Sequence, residues 1–305
     1  MTEMPQLNPW LIVARAVQIG ACVLLFGQLA FTLFIEADGR PGRGVRRTLA
    51  AAIVAILLSG AAWLVLVAAS VSGETMQALD AHTLGLVIGA TTFGHVWSVR
   101  AGLLLVAAVA LWLRARGIAF AAAAACLASL AWAGHAAAGV GTQRWIELAS
   151  DMVHLIAAGT WLGALPALAW TLAHEAEADR LYRIVRRFSV CGVASVVALV
   201  ATGVVNAWYR VGSVRGLVDS DYGRLLIVKL VLVAAMVALA ARNRHRWTPE
   251  LRGRQPRAAQ ALRRNTIAEI ALGAAVVGIV GALGVTMPAA HAGMEHAMPA
   301  MHMGR

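Results

Sequence analysis

Charged side chains are scarce in this chain. They make up 13% of its 305 residues, against 60% hydrophobic, and the mean hydropathy is +0.73. A soluble domain carries roughly 25% charged residues. So little polar surface excludes a water-soluble globule of this length and leaves lipid as the solvent. Cysteine is also rare. Cys22, Cys126 and Cys191 all sit inside apolar runs, with no CxxC pair and nothing that points to a disulfide. They read as small buried hydrophobes, the usual behaviour of free cysteine. There is no GxxxxGK[ST] motif, and no soluble domain offers a phosphorylatable aspartate. Any uphill transport would therefore draw on an ion gradient or a partner. The net charge of +11 invites a nucleic-acid reading. No helix-turn-helix, zinc finger or aromatic RNA-binding sheet supports it. The basic residues fall instead in short clusters between apolar runs, as membrane topology and anionic lipid require.

What the chain does contain is apolar runs of spanning length. A hydrocarbon core of about 30 Å needs roughly 20 apolar residues in a helix. The pattern predicts an all-α, polytopic transmembrane bundle of about eight helices, near 9–35, 48–71, 98–114, 117–136, 148–173, 188–208, 222–241 and 265–287. The first run reads as a span and not as a cleaved leader, because MTEMPQLNP lacks a positive n-region. Segment 82–97 is apolar but rich in Thr, Gly and His. It reads either as an interfacial helix or as the outer half of a longer, kinked span. The loops after spans 1, 3, 5 and 7 hold 18 basic residues, while the opposite loops and the C-terminus hold four. The positive-inside rule then predicts both termini outside. Residues 1–287 form the membrane domain in this reading, and 288–305 a flexible tail.

That topology assigns a side to each metal-donor side chain. Seven of nine histidines and nearly all the methionines fall outside. The tail HAGMEHAMPAMHMGR is the most specific signal, with His291, Met294, His296, Met298, Met301, His302 and Met303. Thioether is a soft, neutral donor that prefers Cu(I), and imidazole serves Cu(I), Cu(II), Zn and Ni. The mixture points to copper over zinc. The bland alternative is a compositionally biased, disordered end. Within the membrane domain, His135 ends span 4 and His154 begins span 5, at one depth across a short outer loop. Intramembrane ionisable residues tend to face the bundle interior and mark a pathway. His135 and His154 are the expected ligands, with His95 third and Met152 or Met287 supplying sulfur. Met152 and His154 stand two apart, so both serve one site only if the start of the span is irregular. Single histidines at an interface are otherwise ordinary hydrogen-bonded residues. Arg15 and Lys229 read as paired or snorkelling charges, and so does Glu269, unless it guides a cation at the inner exit. Trp10, Trp97, Trp132, Trp145, Trp208 and Trp247 read as an aromatic belt.

The motifs TTFGHVWSVR (91–100), AGHA (133–136), DMVHLIAAGTWLGAL (151–165), RRFS (186–189), TGVVNAW (202–208), YGRLLIVKL (222–230) and RRNTIAEIALG (263–273) resemble, in order and spacing, the CopD family of copper resistance proteins. The resemblance covers most of residues 90–275. It implies a bacterial inner-membrane protein that handles copper between periplasm and cytoplasm. Some relatives carry a fused periplasmic copper-binding domain, so a periplasmic copper-binding protein is an implied partner beside the lipid bilayer. His95, His135 and His154 stand inside the matching motifs.

The leading expectation is therefore a copper carrier, not an enzyme, that captures copper outside and conducts it inward. Histidines at matched depth on neighbouring helices also hold b-type haems, which makes a haem-binding oxidoreductase the enzyme-class alternative. A copper chaperone that binds outside without translocation is the third reading.

Overall fold

The computed structural model describes residues 8–36, 43–72, 79–134, 141–253, 256–288 and 290. Among them there is no strand, and eight helical segments are long and apolar enough to cross a membrane. In chain order the helices are α1 (Pro9–Ile35, its last five residues π-helical), α2 (Arg43–Ser72), α3 (Ala81–Ala90), α4 (Thr92–Trp112), α5 (Arg116–Ala133, ending in a 3-10 turn), α6 (Gly141–Leu162) and α7 (Leu165–His174). They continue with α8 (Ala178–Val211), α9 (Val214–Asp219), α10 (Asp221–Arg242), α11 (Thr248–Glu250) and α12 (Pro256–Leu283). The all-α, multi-pass architecture expected from the apolar runs is the one observed. The tail from His291 onward lies outside the described residues.

Local chemistry sets the helix boundaries. Asn8 caps α1 by accepting the Trp10 N–H at 3.0 Å, with Pro9 at the first helical position. Segment 82–97 is divided by Thr91, whose backbone is extended (φ −110, ψ 147) and whose hydroxyl accepts the Gly94 N–H at 2.9 Å. This makes α3 a separate helix of ten residues. Such a helix rises only about 15 Å and is too short to span. Val87 of α3 packs against Leu64 and Ala68 of α2, so α3 lies on the end of the α2–α4 pair. The third span thus starts at Thr92, six residues before the apolar run alone indicates.

α1 is the hub. It touches α2, α5, α6 and α12, and 72% of its most apolar stretch is buried, against 6% for α10. Small residues permit that crowding. A Cβ built on Gly27 would overlap the backbone of Gly159 and Gly163, so α1 and α6 meet backbone to backbone. The fifth span is one run in the sequence but two helices in space. Pro166 has no N–H for the Leu162 carbonyl, and α6 yields to α7 just before it. Gln28 of α1 reaches across and donates to the Gly163 carbonyl at 2.8 Å. A backbone group that lipid cannot satisfy is thereby bonded inside the protein.

α8 shows how the bundle is turned relative to a soluble one. Val190, Val193, Val197, Val200 and Val204 form an exposed stripe at helical spacing, while Ser195, Thr202 and Asn206 are buried. Apolar side chains face lipid and polar ones face the protein. Trp10, Trp145 and Trp208 are exposed near span ends, as belt residues should be. Trp97 instead turns inward and donates to the Gly60 carbonyl at 2.9 Å, tying α4 to α2.

Candidate functional site

A polar seam runs between α6 and α8. On α6, Glu147, Ser150, Asp151 and His154 recur at three- and four-residue spacing, which puts them along one side of the helix. On α8, Thr202, Asn206 and Arg210 recur at four-residue spacing and meet them. Arg210 forms an ion pair with Asp151, whose other oxygen accepts the Asn206 amide at 2.8 Å. The Ser150 hydroxyl donates to the Thr202 carbonyl at 3.3 Å. Glu147 accepts from Gln143 at 2.8 Å. Tyr222 of α10 lies beside Arg210, and Lys229 stands within electrostatic range of Asp151 and His154. Two acids, Glu147 and Asp151, and three bases, His154, Arg210 and Lys229, therefore lie in or beside the seam.

His154 is oriented by this arrangement. Its Nδ1 lies 2.9 Å from Thr202 Oγ1, and Thr202 Oγ1 lies 2.6 Å from the Ala198 carbonyl. A hydroxyl has one proton to give. With that proton on Ala198, Thr202 accepts from Nδ1–H, and the imidazole lone pair is left on Nε2. A hydrogen bond that fixes the tautomer and presents the opposite nitrogen is the usual support of a metal-binding histidine. The ring rests over Gly203, where no side chain obstructs it.

The other expected donors are distributed more widely. Met152, on a regular stretch of α6, packs beside Ala131, Leu148 and Trp132, away from Thr202. The two-residue separation thus sends Met152 and His154 to different neighbours. His95 is exposed in the first turn of α4, and its Nε2 is 2.9 Å from the Gly89 carbonyl, so it clasps the α3–α4 corner. Met287 is 55% exposed just beyond α12. His135 lies outside the described residues. Its neighbour Gly134 runs beside the seam, since a Cβ built there would stand 4.0 Å from Asp151 Oδ2. His291, Met294, His296, Met298, Met301, His302 and Met303 also lie outside the described residues. Among the described residues, no three His, Cys, Asp or Glu side chains gather as a metal cage.

Asp151, Thr202, Asn206 and Arg210 were absent from the sequence-based site. Their signal was present in DMVH and TGVVNAW, where polar residues recur at helical spacing inside apolar spans. At the other end of the bundle, Glu269 is 2% exposed and accepts from Asn243 at 2.9 Å and from Trp161. It borders a cavity of about 390 Å³ whose polar lining includes Ser189, Asn243, Arg244 and Thr266.

An apolar lipid face with polar side chains turned inward along one helix pair defines a multi-pass membrane protein with an internal polar track. The chain belongs to the copper resistance protein D family: the family's own domain matches residues 182–283, and the copper resistance protein D-like N-terminal domain matches residues 4–145. Copper resistance protein D of Pseudomonas syringae pv. tomato is 31% identical over 315 residues, covering 94% of this chain and 99% of the relative. Inner membrane protein YebZ of Escherichia coli (strain K12) is 32% identical over 203 residues, covering 65% of this chain and 70% of the relative. Copper transport protein CutJ of Bacillus subtilis (strain 168) is 27% identical over 252 residues, covering 77% of this chain and 46% of the relative. No solved structure matches significantly. The α8 half of the seam falls inside the 182–283 match, and α6 lies mostly between the two matched regions.

Proposed function

We propose that the protein takes up copper from the periplasmic side and passes it across the bacterial inner membrane. It does so as a carrier and not as an enzyme. The observation that carries this reading is His154, held by Thr202 through Nδ1 so that its lone pair sits on Nε2, in a polar seam enclosed by lipid-facing helices. The Met/His tail raises the local copper concentration outside, with thioethers suited to Cu(I) and imidazoles to either oxidation state. A periplasmic copper-binding protein is the natural donor. Glu269 and its cavity offer a carboxylate at the inner end. The driving force comes from an ion gradient or a partner.

Sidedness is tested by a reporter. Alkaline phosphatase fused after Arg305 is expected to be active, and a cytosolic C-terminus would reverse the proposed direction. Translocation is tested with purified full-length protein in liposomes that enclose a copper-responsive dye. Protein-dependent entry of Cu(I) is expected. Tight copper binding without entry would identify a chaperone, and a Soret band in the purified protein would identify a haem protein.

A further inference from the structure

Cys22 of α1 and Cys126 of α5 are 104 residues apart in sequence, yet their sulfurs face each other at 4.0 Å. Each is 1% exposed. A disulfide needs about 2.05 Å between sulfurs. Two metal–sulfur bonds, about 2.3 Å each in zinc sites, place sulfurs about 4–4.6 Å apart according to the angle at the metal. The observed gap is that of an S–H···S contact and lies at the lower edge of the second range, so one metal ion fits between the sulfurs after a small movement.

Polar and cationic side chains border the pair. Ser59 Oγ lies 2.6 Å from both Gln18 Oε1 and the Ala55 carbonyl, and Gln18 Nε2 lies 4.0 Å from Cys22 Sγ. Arg100, 3% exposed, is anchored on the turn after Cys126: Nε donates to Ser129 Oγ at 3.0 Å and Nη2 to the Ser129 carbonyl at 3.3 Å. It stands within electrostatic range of both sulfurs. Arg15 lies beyond Trp63, its Cζ 4.6 Å from the ring centre, with that of Arg100 at 6.0 Å from the same ring. Among the described residues, neither guanidinium has a carboxylate partner. Arg15 Nε is buried without a hydrogen bond. Two unneutralised cations among spanning helices are costly, and the pair of thiols is a nearby group able to supply negative charge to Arg100.

The geometry points to Cys22 and Cys126 as a two-coordinate Cu(I) site, with Arg100 as its counter-charge. Binding releases two thiol protons to solvent and forms two Cu–S bonds with no change of oxidation state. Two thiolates and one Cu(I) carry a net charge of −1, which the Arg100 guanidinium offsets. Zinc requires four donors in a closed site, and among the described residues no third His, Cys, Asp or Glu joins the two thiols. Soft thiolates with low coordination select Cu(I). This inference rests on the copper reading above, but it names a site separate from His154.

The test uses full-length protein purified anaerobically with reductant and titrated to saturation with Cu(I) from a competing chromophoric chelator. Thiolate-to-Cu(I) charge transfer absorbs in the near ultraviolet, and thioether or imidazole coordination does not produce it. Wild type is expected to show the band, C22S and C126S to lose it together with one copper per chain, and C191S to keep it. R100Q is expected to keep the band with affinity lowered about tenfold. Copper binding by wild type without the band, or a band that survives in both C22S and C126S, overturns the site and leaves the copper reading standing. No copper bound anywhere on the chain overturns both.

Discussion

Asp151→Ala is expected to be the most destabilising substitution in the α6–α8 seam. The Asp151 and Arg210 side chains are only 13% and 20% exposed, so solvent does little to screen them. Removing the carboxylate leaves Arg210 as a buried cation facing an empty space, and it also frees the Asn206 amide. Breaking one side of a buried pair costs about 3–5 kcal/mol, against a total stability of about 5–15 kcal/mol for a typical domain. The expected outcome is a sharp fall in detergent-extracted yield and in the midpoint of thermal aggregation. Asp151→Ala/Arg210→Ala is expected to recover a large part of the loss, since no orphan charge remains. If the double variant is no better than the single, the two residues are not energetically coupled and the seam is held by apolar packing alone. Asp151→Asn, which keeps an acceptor for Asn206, is expected to fall between wild type and Asp151→Ala.

His154→Ala is expected to do the opposite: little change in stability and a large loss of copper transport. Among the described residues the ring makes one hydrogen bond, and Thr202 retains its bond to Ala198 without it. Groups that orient a metal-binding histidine are worth about 10- to 100-fold in metal affinity, and the histidine itself is worth at least as much. In the liposome assay, Thr202→Val is expected to raise the copper concentration for half-maximal entry by about tenfold. Thr202→Ser restores the hydroxyl and is expected to restore wild-type behaviour. That rescue separates positioning of the imidazole from simple packing, since serine lacks the methyl group that a packing role would need. Unchanged transport in His154→Ala would remove the seam from the copper path.

The spans could be read from the chain because each is decided locally. A run of about 20 apolar residues in lipid must bond its own backbone, and a helix does so without reference to any other segment. The boundaries were less legible. Thr91 acts through one capping hydroxyl and Pro166 through one missing N–H, which moved the start of the third span to Thr92 and split the fifth before Pro166. The candidate site was half legible. His154 stood out as an ionisable residue inside a span. Asp151, next to Met152, showed no role in the linear sequence until Arg210 appeared opposite it.

The same contrast runs through the whole molecule. Composition and the spacing of apolar residues settle that the chain lives in a membrane, crosses it with eight helices and carries a thioether- and imidazole-rich end, because solvation of a helix depends on its own side chains. Partnership between helices depends on how they pack around α1, where Gly27, Gly159 and Gly163 allow backbones to touch. Arg210 meets Asp151 across 59 residues of chain, and Cys126 meets Cys22 across 104. At such separations the linear order carries no record of which polar groups face each other, and close packing of small residues is the force that brings them together.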